Sequence, residues 1–162
     1  AHSYADTLIT PMNDSFIDLD VLAKVEPDTM KIVRPSAYAE FVWENRKKRI
    51  QRDGGSIDWI VARNRLSSLD SRNRRAVADA LTILSNRIGF RVAPGFSERM
   101  IFRELFLKGL TLLDLRDPDA GIRLNMSHIA ARQEVRMMLE AIGLPESVEE
   151  DEGPRAQGSA NT

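Results

Sequence analysis

Two short apolar runs mark the middle of the chain. Trp59-Ile60-Val61-Ala62 follows Asp58, and Phe90-Arg91-Val92-Ala93 follows Gly89. Both are strand-length, and both are bounded by polar or turn residues. Between them Val77, Leu81, Leu84 and Ile88 recur at helical steps, which puts one apolar stripe on a helix over 71–87. Strand, helix, strand is the parallel βαβ unit, and in open α/β sheets ligands bind beyond the carboxyl ends of the strands. Asn64 and Pro94-Gly95 stand at two such ends.

The flanks extend the pattern. Residues 4–10 read as a buried strand stopped by Pro11, since proline cannot donate to a sheet ladder. Phe16, Leu19 and Leu22 at three-residue steps predict a short helix over 15–25, and 30–33 a short strand. Ser36 is placed to cap a helix over 37–52 that ends at Gly54-Gly55, with Phe41, Val42 and Trp43 as its apolar part. Ser97 is expected to cap a helix over 98–108, with Phe102, Leu105 and Phe106 on one face and Gly109 past its end. Residues 110–113 read as an edge strand or extended segment. Ser127 opens a last helix to Ile142, burying Ile129, Val135, Met138, Leu139 and Ile142, and Gly143 and Pro145 stop it.

The fold expected is α/β: the C-terminal part of a doubly wound, mostly parallel sheet with flanking helices. Residues 1–144 form that part, and the acidic, then small and polar stretch 145–162 is expected to be a disordered tail. The chain has no initiator Met and enters a strand pattern within a few residues, so an internal start is expected.

Composition changes the picture in three places. The 162 residues suit one domain, and a 43% hydrophobic content can supply its core. The net charge of −1 conceals a basic middle and an acidic C-terminus. The absence of cysteine excludes a disulfide framework and thiolate metal sites. No apolar run is long enough to span a bilayer and no signal peptide precedes the first strand, so the default location is the cytoplasm.

The candidate chemistry is recognition rather than nucleophilic catalysis. An Asn at a strand end can offer its carbonyl oxygen to the exocyclic amino group of adenine and its amide to a ring nitrogen. The Pro94-Gly95 bend lets backbone approach the other edge of a planar base; the plain alternative is that both residues simply make turns. No G-x-x-x-x-G-K-[ST] phosphate loop occurs anywhere in the sequence. The arginines and lysines of 46–52 and 72–87 could line a phosphate-binding surface for DNA, or form solvated faces with local ion pairs such as Arg75 with Asp79. His2 and His128 are far apart and have no cysteine to serve; His128 reads as a surface residue at a helix start. Asp18 and Asp20 read as ordinary helix acids.

Several longer strings carry a resemblance. They are Ala5-Asp6-Thr7-Leu8-Ile9-Thr10-Pro11-Met12-Asn13-Asp14-Ser15-Phe16, Val42-Trp43-Glu44 with Arg46-Lys47-Lys48-Arg49, and Asp58-Trp59-Ile60-Val61 with Arg63-Asn64-Arg65-Leu66. Gly89-Phe90-Arg91-Val92-Ala93-Pro94-Gly95, Arg103-Glu104-Leu105-Phe106, Gly109-Leu110-Thr111-Leu112-Leu113-Asp114 and Ala131-Arg132-Gln133-Glu134 follow in order. Together they resemble the C-terminal half of the MipZ family of bacterial ATPases, in the ParA/MinD group of P-loop ATPases. The resemblance implies binding of ATP with Mg2+, an ATP-dependent homodimer, non-specific DNA binding, recruitment by a ParB-like centromere-binding protein, and inhibition of FtsZ assembly that positions the division site. It implies a cytoplasmic, nucleoid-associated protein with no membrane attachment. By the same resemblance Asn64, Arg65, Pro94, Gly95 and Phe96 would bind nucleotide, and Arg65, Arg72, Arg75 and Arg87 would touch DNA. The family's phosphate loop and catalytic acids have no counterpart here, so this chain by itself is expected to be inactive, with no catalytic residue and no metal ligand of its own. Two other readings stay open: a ParA-type partition ATPase for chromosomes or plasmids, and a nucleotide-free module that binds DNA or a partner.

Overall fold

The computed structural model describes residues 2–26, 29, 31–66, 72–112, 114 and 125–143. Its strands are β1 (Thr7–Asn13), β2 (Ala23–Val25), β3 (Ile32–Pro35), β4 (Asp58–Asn64) and β5 (Arg91–Ala93). Its α-helices are α1 (Ala37–Asp53), α2 (Arg72–Ile88), α3 (Met100–Leu107) and α4 (Met126–Ile142), with 3-10 turns at His2–Tyr4 and Asp18–Val21. β1, β4 and β5 form a parallel sheet in the order β1-β4-β5, and β2 pairs antiparallel with β3 in a separate ribbon. The βαβ unit read from the sequence is therefore β4-α2-β5.

The sheet is covered on both faces because β4 alternates. Trp59 and Val61 pack with Val42 of α1 and with Val77, Leu81, Leu84 and Ile88 of α2. Ile60 and Ala62 point the other way and cluster with Ala93 and with Met138 of α4. A strand buried on both faces must be apolar at successive positions, which is why 59–62 reads as a continuous run. A third cluster joins α3 to α4 through Ile101, Leu105, Leu112 and Ala131.

Trp59 anchors the first face. Its ring is fully buried beside Tyr38 and Phe90, and its Nε1 donates to Thr10 Oγ1 at 2.9 Å, which itself lies 2.8 Å from the Tyr38 hydroxyl. Burying an indole N–H without a partner costs of the order of a lost hydrogen bond, so Thr10 is the polar partner this core needs. Helix α1 is tied to the same region by Trp43 Nε1, which donates to the Ile88 carbonyl at 2.8 Å.

Several local expectations change. β1 runs through Pro11 to Asn13, because β1 is an edge strand among the described residues and proline is tolerated there. The helix expected over 15–25 is a 3-10 turn followed by β2; Leu19 and Leu22 are buried, Leu19 within that turn and Leu22 at its C-cap, rather than along an α-helix. The helix after β5 starts at Met100, not 98, with Arg99 at its N-cap and no side-chain cap. Ser97 is engaged elsewhere. On α3 the buried residues are Ile101 and Leu105, while Phe106 is 83% exposed. No strand forms over the described part of 110–113. On α1, Phe41 is about half exposed and meets the His2 ring edge-on.

Helix α4 begins one residue before Ser127 and is capped by Asn125, whose Oδ1 accepts from the His128 backbone N–H at 2.9 Å. The rotation that follows puts His128, Ala131 and Met138 inside, and leaves Ile129 and Leu139 exposed. His128 is thus a buried residue rather than a surface one, and its Nδ1 meets no partner among the described residues. The stretch 145–162 lies outside the described residues.

Candidate functional site

The three parallel strands end side by side, with Asn13 paired to Asn64 in the β1–β4 register and Ala62 to Ala93 in the β4–β5 register. Just beyond, Asp14 and Arg63 form a nearly buried ion pair; Arg63 Nε donates to Asp14 Oδ1 at 3.0 Å and its Nη2 reaches the Arg74 carbonyl at 3.3 Å. This pair ties the end of β1, the end of β4 and the start of α2 together. A buried charge of this kind persists only when it is paired, so Asp14 and Arg63 set the geometry of the sheet's carboxyl edge.

The ladder continues past the strands in an irregular form. Phe96 N–H donates to the Arg63 carbonyl, Leu66 N–H to the Phe96 carbonyl, and Glu98 N–H to the Leu66 carbonyl, at 2.9, 2.9 and 3.0 Å. Between Arg63 and Leu66 the chain bows outward, with Arg65 at φ 54°. A non-glycine residue pays strain in this left-handed region, and Asn64 offsets part of it: its Oδ1 accepts from the Arg65 N–H at 3.0 Å. Asn64 therefore offers outward two amide donors and one remaining lone pair on its oxygen. Gly95 is needed for the other half of the crossing, because its backbone passes directly over that of Arg63.

These crossed loops form one wall of a cavity of about 730 Å³ at the carboxyl ends of β4 and β5. Asn64, Arg65, Phe96, Ser97, Glu98 and Arg99 line it from these loops, Phe102, Arg103 and Leu105 from α3, Leu110, Thr111 and Leu112 from the segment after α3, and Val135 from α4. The volume falls within the range of small-molecule sites, and an aromatic and aliphatic lining with a few convergent polar groups suits a planar heterocycle. Phe96 and Phe102 meet edge to face at 6.3 Å between centroids. Of the residues expected to bind nucleotide, Asn64, Arg65 and Phe96 line the cavity. Pro94 and Gly95 stand outside its lining and shape it through the backbone.

Charge is distributed unevenly around the cavity. At its exposed mouth Glu98 Oε1 accepts from Arg65 Nη2 at 3.0 Å and Arg103 Nη2 at 3.2 Å, two guanidiniums sharing one carboxylate. Deeper, Glu134 of α4 accepts from Ser97 N–H at 3.1 Å, Ser97 Oγ at 2.7 Å and Arg99 Nη2 at 2.7 Å. Arg99 Nη1 also donates to Ser127 Oγ at 3.2 Å. Burial opposes ionisation of Glu134, but the hydrogen bonds from Arg99 and Ser97 outweigh it and hold the carboxyl below its ordinary value. Sequence reasoning missed this network. A lone Glu on a helix carries no signature of its partner, and Ser97 reads more naturally as a helix cap.

The arginines expected at DNA fall into two groups. Arg65 stands at the cavity mouth, and Arg72 and Arg75 lie exposed in the first turn of α2, on the same edge of the sheet. Arg87 is exposed in the last turn, 15 residues on, which is about 22 Å along the helix axis and toward the opposite edge. The cations of α1 are largely committed to the fold. Arg46 bonds the Ile57 and Gly89 carbonyls and stacks over Trp59, Arg49 pairs with Asp6 and Asp53, and Arg52 stacks on Tyr4.

The cavity lining combines aromatic, aliphatic, amide and guanidinium groups. No group of three or more His, Cys, Asp or Glu able to hold a metal ion occurs among the described residues. Among the same residues no helix is long and apolar enough to cross a membrane.

No curated protein matches the chain. A family model described as ATPase MipZ matches residues 1–146. The parallel sheet covered on both faces agrees with the P-loop NTPase-like fold of that group. The chain therefore belongs to the ATPase MipZ family, ParA/MinD-type ATPases involved in positioning the division site.

Proposed function

We propose that the cavity at the carboxyl ends of β4 and β5 receives the adenine and ribose of ATP. Asn64 donates its amide to a ring nitrogen, Phe96 covers a face of the base, and Pro94 and Gly95 hold the wall in place. Support comes above all from one observation: the crossed loops put Asn64 and Phe96 on one wall of a 730 Å³ cavity beyond parallel strand ends. The phosphates and Mg2+ of the nucleotide need residues that this sequence does not contain, in particular a phosphate loop.

With ATP bound, the protein forms a homodimer that holds DNA non-specifically through Arg65, Arg72 and Arg75, with Arg87 as a separate contact. This dimer blocks FtsZ assembly over the nucleoid, and a ParB-like centromere-binding protein recruits the protein. Family membership supports this part of the reading.

Calorimetry with adenosine and with ATP tests the base site. Asn64→Asp keeps the oxygen that accepts from Arg65 N–H and removes the amide donors, so the loop stays in place. Affinity should fall several-fold, since a buried hydrogen bond to a ligand contributes about 1 kcal/mol or more. Unchanged affinity in this variant would refute the adenine assignment.

A further inference from the structure

We propose that Glu134 is a positioning residue for the cavity: from behind the lining it fixes the wall at 97–99 and holds the Arg99 charge away from the ligand, so that the cavity takes an uncharged base and ribose rather than a free phosphate chain. The adenosine arm of this inference rests on the base-binding reading given above.

The geometry carries the argument. The 94–99 segment is fastened to β4 on one side by backbone bonds, which any sequence could make. On its other side it is fastened by Glu134, which accepts the Ser97 backbone N–H and hydroxyl and the Arg99 guanidinium. Glu134 is not itself part of the lining, whereas Ser97 and Arg99 are. Its action on a ligand thus passes through those two residues. The side chains of Glu134 and Arg99 are 16% and 22% exposed, so their attraction is only weakly screened by water and salt.

Arg99 differs from the cavity's other cations. Arg65 and Arg103 share a single carboxylate at the exposed mouth, where an incoming anion can compete for them. Arg99 is held by both Glu134 and Ser127 and has its charge balanced one to one. Among the described residues of the lining, neutralising Glu134 would leave three guanidiniums, of Arg65, Arg99 and Arg103, against the one carboxylate of Glu98. A space suited to a neutral heterocycle would become an anion site.

The test uses the full chain and two probes, adenosine and inorganic triphosphate, each titrated at low salt. Glu134→Gln keeps the size of the side chain and removes its charge. Triphosphate affinity should rise roughly tenfold, the scale of one freed charge-assisted contact, and adenosine affinity should fall several-fold. Glu134→Asp keeps the charge beside Arg99 and should show no triphosphate gain. A purely structural role for Glu134 would lower both affinities together or neither.

Equal triphosphate affinity in wild type and Glu134→Gln would overturn the inference, as would an equal gain in Glu134→Asp. Should Glu134→Gln fail to fold, Arg99→Met decides: adenosine affinity should fall while triphosphate affinity holds, and loss of triphosphate binding would make Arg99 a direct anion ligand and overturn the proposal. If wild type holds no adenosine, the base-binding reading fails, and the triphosphate measurements still judge Glu134.

Discussion

Gly95 crosses Arg63 so closely that a Cβ on Gly95 would lie 2.3 Å from the Arg63 carbonyl oxygen and 2.9 Å from its carbonyl carbon. That oxygen also accepts the Phe96 N–H, so the two loops after β4 and β5 meet backbone to backbone. The obstacle is main chain, which cannot rotate away as a side-chain tip can. Gly95→Ala should therefore destabilise the protein by about 1–3 kcal/mol, the usual cost of overpacking, and open the cavity wall. Urea unfolding of the variant measures the first effect. A midpoint equal to that of wild type would show that the crossing relaxes without cost.

Trp59→Phe should cost about 1–3 kcal/mol through lost packing and the lost bond to Thr10, although Phe retains the contacts with Tyr38 and Phe90. Thr10→Val removes the acceptor and leaves the indole N–H buried without a partner. It should be at least as damaging despite its smaller change in volume. Thermal unfolding of the two variants ranks them. If Thr10→Val is neutral, the Thr10 hydroxyl is not the partner this core requires.

Asp58 and Glu134 both titrate below their ordinary values. For Asp58 the hydrogen bonds from Arg91 dominate, with burial opposing them; for Glu134 burial is the largest influence and is outweighed by Arg99 and Ser97 together. A carboxylate depressed in the folded state binds fewer protons there than when unfolded, so its contribution is complete above the unfolded value. It is lost as pH falls from the ordinary carboxylate range, about 4, down through the folded value. Stability measured from pH 6 to pH 2 should decline through that window. Arg99→Met should shallow the decline, because Glu134 would then titrate nearer its ordinary value. A decline of unchanged steepness in Arg99→Met would separate Glu134 from the acid response.

If Arg72 and Arg75 meet DNA phosphates in the ATP-bound form, each lost contact should flatten the fall of log affinity against log salt by about one counterion per subunit. Affinity should drop alike on unrelated sequences, because phosphate contacts position a protein without reading bases. Arg87→Ala should have a smaller effect than Arg72→Ala, since Arg87 stands about 22 Å away along α2. Salt titrations of the single variants by fluorescence anisotropy decide this. Coincident slopes for wild type and all variants would assign these arginines to solvent and local acids instead.

The sequence by itself determined the parallel β4-α2-β5 unit, α1 with its Ser36 cap, and the buried stripe of α2. These rest on period and capping, which are local: Trp59 to Ala62 must be apolar throughout because both faces of β4 are covered, and Val77, Leu81, Leu84 and Ile88 fall on one side whatever they touch. It also placed Asn64 at a strand end, since turn chemistry is local as well. Tertiary structure decided where a local signal had two uses. Ser97 reads as a cap but is bonded to Glu134, and Arg46 reads as a free surface cation but spans to Gly89 and Trp59. Pro11 reads as a strand stop but lies inside β1, because that strand is at the edge of the described sheet. The rotation of α4, and with it the burial of His128 and the inward position of Glu134, depends on packing against β5, α3 and the 94–99 segment. Those partners all lie before Met126 in the chain, at 91–107, so no window on the sequence of α4 contains the groups that fix its inner face.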